Sequence, residues 1–470
     1  MTDLGATERL ANFIVDARVD DMAPEMLGLG VEAVLDSIGN MLAGSQEEIG
    51  VRTRRYLQTV GGAEQATVIG GGGYRTNVIN AAYANGVFGH ALDYEPIGDP
   101  LHHPTSPVLS SALALAESRG LSGADLVHAV IIGIEIQGRL LELLPEERVI
   151  SGQNLHPPGS VGPIGSAGAC AKLLGLDVHQ TTMALGLAAS RSCGLMINTG
   201  TMTKSSHCGN ASRAGLEAAL LAEQGYTSSA RALEGRQGYY DTLYRMVPDD
   251  DLLFAKFGAP FRVVEPGLWL KAYPAQGPTH WCIDSALELH RSGEFDPADI
   301  QSVVIEVGAD CQSAIRPTSA QPATGLDGKF SAQYTTAIAL LDGRVVIDSF
   351  TDERRFSPDV QRLLDITTVE LRDDIKAMDF FHAQATVRVL DTNGDWHSRT
   401  THRPRGFFGS RLPREDRLAK FMDCATRTIT EDQAWSLAQH IETLAKAPDV
   451  SEVTVPCGAA TPRAAADLRS

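Results

Sequence analysis

The chain is poor in the features that mark membrane, nucleic-acid-binding or disulfide-stapled proteins. Its seven cysteines are odd in number and scattered, with no CxxC spacing. That excludes a disulfide framework and a zinc knuckle, and it fits reduced thiols. The opening Met1-Thr2-Asp3-Leu4 has no basic region leading into an apolar core, so no signal peptide is expected. No run of 18 apolar residues free of charge occurs, so no membrane span is expected. Positive charge is also scarce. A formal net charge of -18 argues against nucleic acid and anionic membrane as partners. The expected location is the cytoplasm. The same charge repels small anions at long range, so a site for an anionic substrate needs its own local cations.

What is present is a globular balance, with 43% hydrophobic and 21% charged residues over 470 positions. That length exceeds what one simple core organises, so two domains are expected. Residues 6–44 carry a helical period, with Pro24 suited to a first helical turn and Leu27, Val31, Val34, Leu35 and Ile38 along one face. Gly70-Gly71-Gly72-Gly73 has the composition of a phosphate cradle, but no Lys-Ser or Lys-Thr follows, and a flexible turn is expected. A helix pattern over 121–144 places Glu135 and Arg139 four residues apart, on one face, where they can pair.

Polar chemistry concentrates in three places. The first is Gly89-His90-Ala91-Leu92-Asp93-Tyr94-Glu95-Pro96-Ile97-Gly98-Asp99-Pro100-Leu101-His102-His103-Pro104, which lies between two small, apolar helical segments. Proton-moving groups on a loop between packed helices are what an acid–base site requires; a solvated interhelical turn is the alternative. The second is the Gly- and Pro-rich segment 154–165, which runs into a small-residue helix over 166–175. It holds His156 near helix N–H groups that can receive a carboxylate, with an exposed loop histidine as the alternative. The third is Lys204-Ser205-Ser206-His207, whose Lys204 and His207 project the same way from a helix start. Such a lysine either loses charge by desolvation and serves as a base, or keeps it and grips a carboxylate. A solvated basic cap is the alternative.

Composition shifts near residue 262. Lys271-Ala272-Tyr273-Pro274 leads towards His280 and a helix, 301–308 alternates as a strand, and further strands are expected at 385–390 and 367–371. A helix over 330–341 stops at Asp342-Gly343. Strands interleaved with helices imply a small α/β domain inserted in a helical protein. The expected division is a helical part at 1–264, an α/β domain at 265–406, a returning helical part at 407–450, and a tail at 451–470.

Four blocks, in order, resemble the MmgE/PrpD family, which contains 2-methylcitrate dehydratases, cis-aconitate decarboxylases and iminodisuccinate epimerase. They are Asn85-Gly86-Val87-Phe88-Gly89-His90-Ala91-Leu92-Asp93; Lys204-Ser205-Ser206-His207-Cys208-Gly209-Asn210; Lys271-Ala272-Tyr273-Pro274 through His280; and Lys329-Phe330-Ser331-Ala332-Gln333-Tyr334, followed by Asp342-Gly343. The opening Asp36-Ser37-Ile38-Gly39 and the Lys420-Phe421 segment extend the resemblance over nearly the whole chain. It implies a mainly α protein with an inserted α+β domain: a large all-helical domain plus a smaller α/β lid domain. It also implies a homodimer needing neither metal nor organic cofactor. The family's decarboxylase positions match Asp93, His103, His156, Lys204, His280 and Tyr334; the last two rest mainly on the resemblance. One block departs from the family's Asp-aromatic-Asp-Asp-Thr pattern and reads Asp93-Tyr94-Glu95-Pro96-Ile97. The resemblance places this loop at the substrate, so an altered substrate is expected.

Dehydration, decarboxylation and epimerisation of polycarboxylates share a carbanion or enolate next to a carboxylate. That intermediate needs a proton-transfer group within about 3 Å and cations for the developing charge. Asp93, or a neutral imidazole of His103 or His156, is expected to move the proton. Lys204, Lys271 and His280 are expected to bind carboxylates, joined by His90, His102 and His207, while Tyr334 or His103 protonates the leaving group or product. The leading expectation is a cofactor-independent lyase acting on a small di- or tricarboxylate, 2-methylcitrate dehydratase-like. A cis-aconitate decarboxylase-like lyase or an epimerase of an iminodisuccinate-like substrate is the alternative. Two other classes stay open: a metallohydrolase using His90, Asp93, His102 and His103, and a non-catalytic carboxylate-binding protein.

Overall fold

A computed structural model describes residues 4–144, 155–311, 320–377 and 379–459. The chain forms two compact units, Met1–Leu270 with Arg414–Ser470, and Lys271–Pro413. It is mainly helical with a small mixed sheet.

The first unit is helices packed on helices. Pro24–Gly44 begins with Pro24 in its first turn and buries Val34, Ile38 and Met41 completely. Each such side chain contributes roughly 1.5–3 kcal/mol. By length and composition alone this helix could cross a membrane. Its apolarity has an internal cause, because it packs against Val78–His90, Gly123–Glu142 and the returning helix Arg414–Ala425. Its buried Asp36 is matched by Lys420 Nζ at 2.7 Å and Asn40 Nδ2 at 2.9 Å.

The segment whose composition reads as a Gly/Pro loop over 154–165 is mostly helix, since Pro157–Leu174 is continuous through Pro163. Pro157 and Pro158 occupy the first turn, where their missing N–H groups cost nothing. Pro163 cannot donate to the Gly159 carbonyl, and the Cys193 N–H takes that acceptor at 3.0 Å. The glycines are there for close approach: a Cβ on Gly159 would collide with the Cys193 carbonyl oxygen.

The four-glycine turn has a comparable explanation. Strand β1 (Ala66–Thr67) pairs antiparallel with β2 (Arg75–Thr76), and the glycines join them. Gly70 N–H and Gly73 N–H donate to the carbonyls of Cys457 and Gly458 at 2.9 and 2.6 Å. Both glycines have positive φ, 65° and 84°, and through these N–H groups the turn clamps a helix near the end of the described residues. That helix, Ser451–Gly458, occupies the beginning of the expected tail and buries Val453 and Cys457. Residues 460–470 of the expected tail lie outside the described residues.

In the second unit, strands β3 (Ile300–Gly308), β4 (Thr367–Arg372), β5 (Ala385–Asp391) and β6 (Trp396–Thr401) form a sheet in the order β4-β3-β5-β6. β3 and β4 are parallel, and the other pairs are antiparallel. A parallel pair needs a crossover; the helices Ala332–Asp342 and Pro358–Asp365 lie between those strands in the chain. The sequence pattern does not predict β6. It is an edge strand in which exposed Trp396 and Ser398 alternate with half-buried His397 and Arg399, so no apolar alternation marks it. Thr279–Ser292 packs against β5, β6 and Ala332–Asp342. Both helices stop at a left-handed glycine, Gly293 and Gly343.

Candidate active site

Four helix ends in the first unit bring together residues far apart in sequence. Val78–His90 ends in His90, and the chain then turns through Asp93 at φ 53°, a left-handed conformation that costs an ordinary residue on the order of 1 kcal/mol. His103 stands two residues before Thr105–Arg119. His156 is the N-cap of Pro157–Leu174, pinned by its own N–H to the Gly194 carbonyl at 2.7 Å. Lys204 lies in the first turn of Met202–Glu223, with His207 one turn further on. The Ser205 hydroxyl donates to the His90 carbonyl at 3.3 Å and ties two of these ends together.

The resulting geometry is a chain of four imidazoles flanked by charge. Ring centroids are 4.7 Å apart for His103 and His90, 5.3 Å for His90 and His156, and 5.3 Å for His156 and His207. The Nδ1 atoms of His207 and His156 are 3.2 Å apart, so one of them carries the proton they share. Asp93 Oδ1 lies 3.5 Å from His103 Nε2 and 3.7 Å from Lys204 Nζ. These three side chains keep 13–16% of their surface exposed, whereas His90 and Glu95 have none.

His90, Asp93, His103, His156, Lys204 and His207 are thus assembled together. His102 is absent from this ring cluster. It is buried, its backbone bridges Gly98, and its Nδ1 bonds the Pro100 carbonyl, so it supports the turn. Lys271, His280 and Tyr334 belong to the second unit and are all buried. His280 Nε2 lies 3.3 Å from the Ala275 carbonyl, and its ring stands 5.1 Å from that of Tyr273. The Tyr334 hydroxyl donates to the Ser349 carbonyl, and burial pushes its pKa up.

Glu95 is the residue whose partners sequence reasoning leaves out. The motif comparison makes it a substrate-lining departure, yet Glu95, Pro96 and Ile97 are all buried. Ile97 pairs its backbone with Trp269. Glu95 Oε1 bonds His90 Nδ1, lies 3.3 Å from His103 Nδ1 and accepts from Ser106 Oγ at 3.4 Å. The available signal is its place in the chain, an acid between two histidines just after a helix end.

Burial dominates the electrostatics. It pushes the His103 imidazole down to about 3, overriding the neighbouring Glu95 carboxylate. Burial, then Lys204 and the adjacent imidazoles, hold His156 well below the usual histidine range. His207 is lowered by burial and then by His90 and Lys204. Burial pushes Glu95 upward, but His90 and His103 together outweigh it and bring the carboxyl down to about 2. The rings of His103, His156 and His207 are therefore held towards their neutral form beside the ionised Glu95 carboxylate. Such rings can accept a proton, and a bound anion beside them raises their affinity for one.

Metal ligation is a second capacity of the cluster. Donor atoms of His90, Glu95 and His103 lie within 4.8 Å of one another. Neither Asp93 nor His102, both expected in such a set, belongs to that group.

Comparison with known proteins agrees with this architecture. Residues 8–249 match the MmgE/PrpD N-terminal domain and residues 273–445 match the MmgE/PrpD C-terminal domain. A cis-aconitate decarboxylase from Mus musculus is 29% identical over 470 residues, covering 95% of this chain and 92% of that protein. The Homo sapiens cis-aconitate decarboxylase is 29% identical over 461 residues, covering 95% and 93%. One from Aspergillus terreus is 23% identical over 471 residues, covering 95% and 94%. The chain belongs to the MmgE/PrpD family.

Proposed function

We propose that this MmgE/PrpD chain is an acid–base lyase that decarboxylates a small tricarboxylate of the cis-aconitate class. The observation that carries the reading is the meeting of Asp93, His103 and Lys204 on partly exposed side chains within a wall of buried imidazoles. The names of the relatives favour decarboxylation over the dehydration expected from sequence. In this reaction the carbon–carboxylate bond breaks and its electron pair becomes a new terminal C=C bond. The old double bond's pair moves to the carbon beside a remaining carboxylate, and a proton delivered there completes the product with release of CO2.

Each role follows from the side chains. Lys204 holds a carboxylate and offsets the developing charge, a duty the net charge of -18 makes indispensable. The trianion raises the proton affinity of His103, so the ring that is neutral in the free protein becomes the donor in the complex. Asp93 orients that ring through Nε2. His90, His156 and His207 relay protons behind it. Lys271 and His280 take carboxylate-binding roles by family resemblance. Tyr334 is left out of proton transfer because its hydroxyl is committed to Ser349. No metal or organic cofactor enters the scheme, and a cytoplasmic homodimer is the proposed assembly.

A second reading has its own support, since imidazoles neutral in the free protein suit proton abstraction and hence dehydration or epimerisation. Proton NMR in deuterated buffer with cis-aconitate, citrate, 2-methylcitrate and iminodisuccinate separates the outcomes. Itaconate from cis-aconitate supports the decarboxylase. A vinyl product from a hydroxy acid, or deuterium uptake without loss of carbon or water, replaces it with the second reading. Turnover is expected to survive chelation. Loss on chelation with rescue by a divalent ion would instead assign His90, Glu95 and His103 to a metal.

A further inference from the structure

We propose that Glu95 is a positioning residue of this site: from full burial its carboxylate fixes the proton of His90 on Nδ1 and keeps Nε2 as the basic nitrogen of that ring. This rests on reading the imidazole cluster as catalytic.

Three observations carry it. First, a carboxylate with no exposed surface is costly unless partnered, and the partners here are the two rings at the head of the cluster. An ionised carboxylate only accepts, so His90 Nδ1 must be the donor in their bond. Second, among the described residues His90 Nε2 is buried with no hydrogen-bond partner, so the tautomer that Glu95 imposes leaves a basic nitrogen unspent inside the cluster. Third, the backbone beside Glu95 is braced. Lys420 Nζ donates to the Tyr94 carbonyl at 2.8 Å, lies 3.9 Å from the Tyr94 ring centre, and pairs with Asp36. The loop is held immediately next to the residue whose orientation matters.

The charged and titratable surroundings agree. Glu95 faces His90 from Val78–His90, His103 ahead of Thr105–Arg119, Asp93 on its own loop, the Asp36–Lys420 pair from two further helices, and Cys208 from Met202–Glu223. Burial raises the Cys208 thiol well above its ordinary range, so it stays neutral. A glutamine in place of Glu95 has an NH2 that can donate to Nδ1, which would move the ring proton to Nε2. A wrong tautomer in an otherwise intact site is a known way to lose several orders of magnitude in rate.

The test uses Glu95→Gln and Glu95→Asp in the full chain. Nitrogen-15 NMR of labelled histidine should show His90 protonated on Nδ1 in the wild type and in Glu95→Asp, and on Nε2 in Glu95→Gln. Turnover of Glu95→Gln should fall about 10²-fold or more, with KM nearly unchanged and the pH limb of kcat/KM displaced by roughly one unit. Glu95→Asp keeps the charge and should leave that limb in place while recovering at least about a tenth of the activity. Wild-type turnover and pH profile in Glu95→Gln would overturn the proposal. So would equal losses in both variants that simply track melting temperature, or a His90 tautomer indifferent to residue 95. The NMR readout needs no substrate, so a wild type inactive on every acid tried would sink the proposed function while the tautomer still decides this one.

Discussion

In the helical unit, the buried charges around Glu135 and those around Glu95 are finished differently. Around Glu135, nearly everything is satisfied. Its carboxylate accepts from Arg139 Nε at 2.7 Å, from the Gly258 N–H at 2.8 Å and from the Arg262 N–H at 2.6 Å. Arg139 spends its remaining nitrogens on Glu142 and the Pro260 carbonyl. Around Glu95, by contrast, His90 Nε2, Glu95 Oε2 and His103 Nδ1 are buried without hydrogen-bond partners among the described residues. Saturated polar groups cement a fold, whereas groups held in place with capacity to spare can act on something else. The left-handed Asp93 belongs to the second cluster, and strain of that kind collects at functional sites.

The largest stability effect is expected from Glu135→Gln. It leaves the buried Arg139 with only the solvent-facing Glu142 as an acid partner, and a loss of about 3 kcal/mol or more is expected, read as a lower melting temperature. Rate per folded molecule should stay near wild type. Lys204→Ala should do the opposite: turnover down about 10²–10³-fold, with melting little changed because the side chain is partly exposed and its pair with Asp93 is long. Retention of full turnover would remove Lys204 from the site.

Acid should expose the difference without a mutation. His103 and His102 titrate at about 3 and 4 in the fold, against 6.5 when unfolded. Below pH 6.5 the unfolded chain takes up protons that the folded rings refuse, so stability falls as pH drops. The loss is on the order of 2 kcal/mol per ring by pH 5, measurable by thermal melts across that range. A melting temperature flat between pH 7 and 5 would contradict it. The smallest stability effect is expected from Asp93→Gly. Release of the left-handed strain should leave stability unchanged or raise it by up to about 1 kcal/mol, while turnover collapses.

Much of this site is legible in the order of residues along the chain. Asp93, His103, His156 and Lys204 stand out as polar islands in small, apolar helical sequence, and polar residues there need a reason. His102 and His103 look equivalent by composition, yet one supports a turn and the other enters the cluster, because neighbouring residues project in different directions. Glu95 stands out as a departure from a motif and as an acid between two histidines, but its burial is not visible in that spacing. The strands β3 and β5 announce themselves by alternation, whereas the edge strand β6 has no buried face strong enough to leave a pattern.

Spacing along the chain is enough to read the helical character of the first unit, the α/β character of the second, the left-handed glycine stop at Gly343 and the pairing of Glu135 with Arg139. All of these are local, written in spacing of a few residues along one element. Only the folded chain shows that Pro157–Leu174 continues through Pro163, that Gly70 and Gly73 clamp Ser451–Gly458, and that Glu95 lies against His90 and His103. Each of those depends on a group more distant along the chain, or hidden from solvent, supplying a missing partner. Cys193 does so for the Gly159 carbonyl, residues 457–458 for the turn, and two imidazoles for the acid. Spacing along the chain does not encode which helix ends meet, and it is their meeting that sets which charges are cemented and which are left able to act.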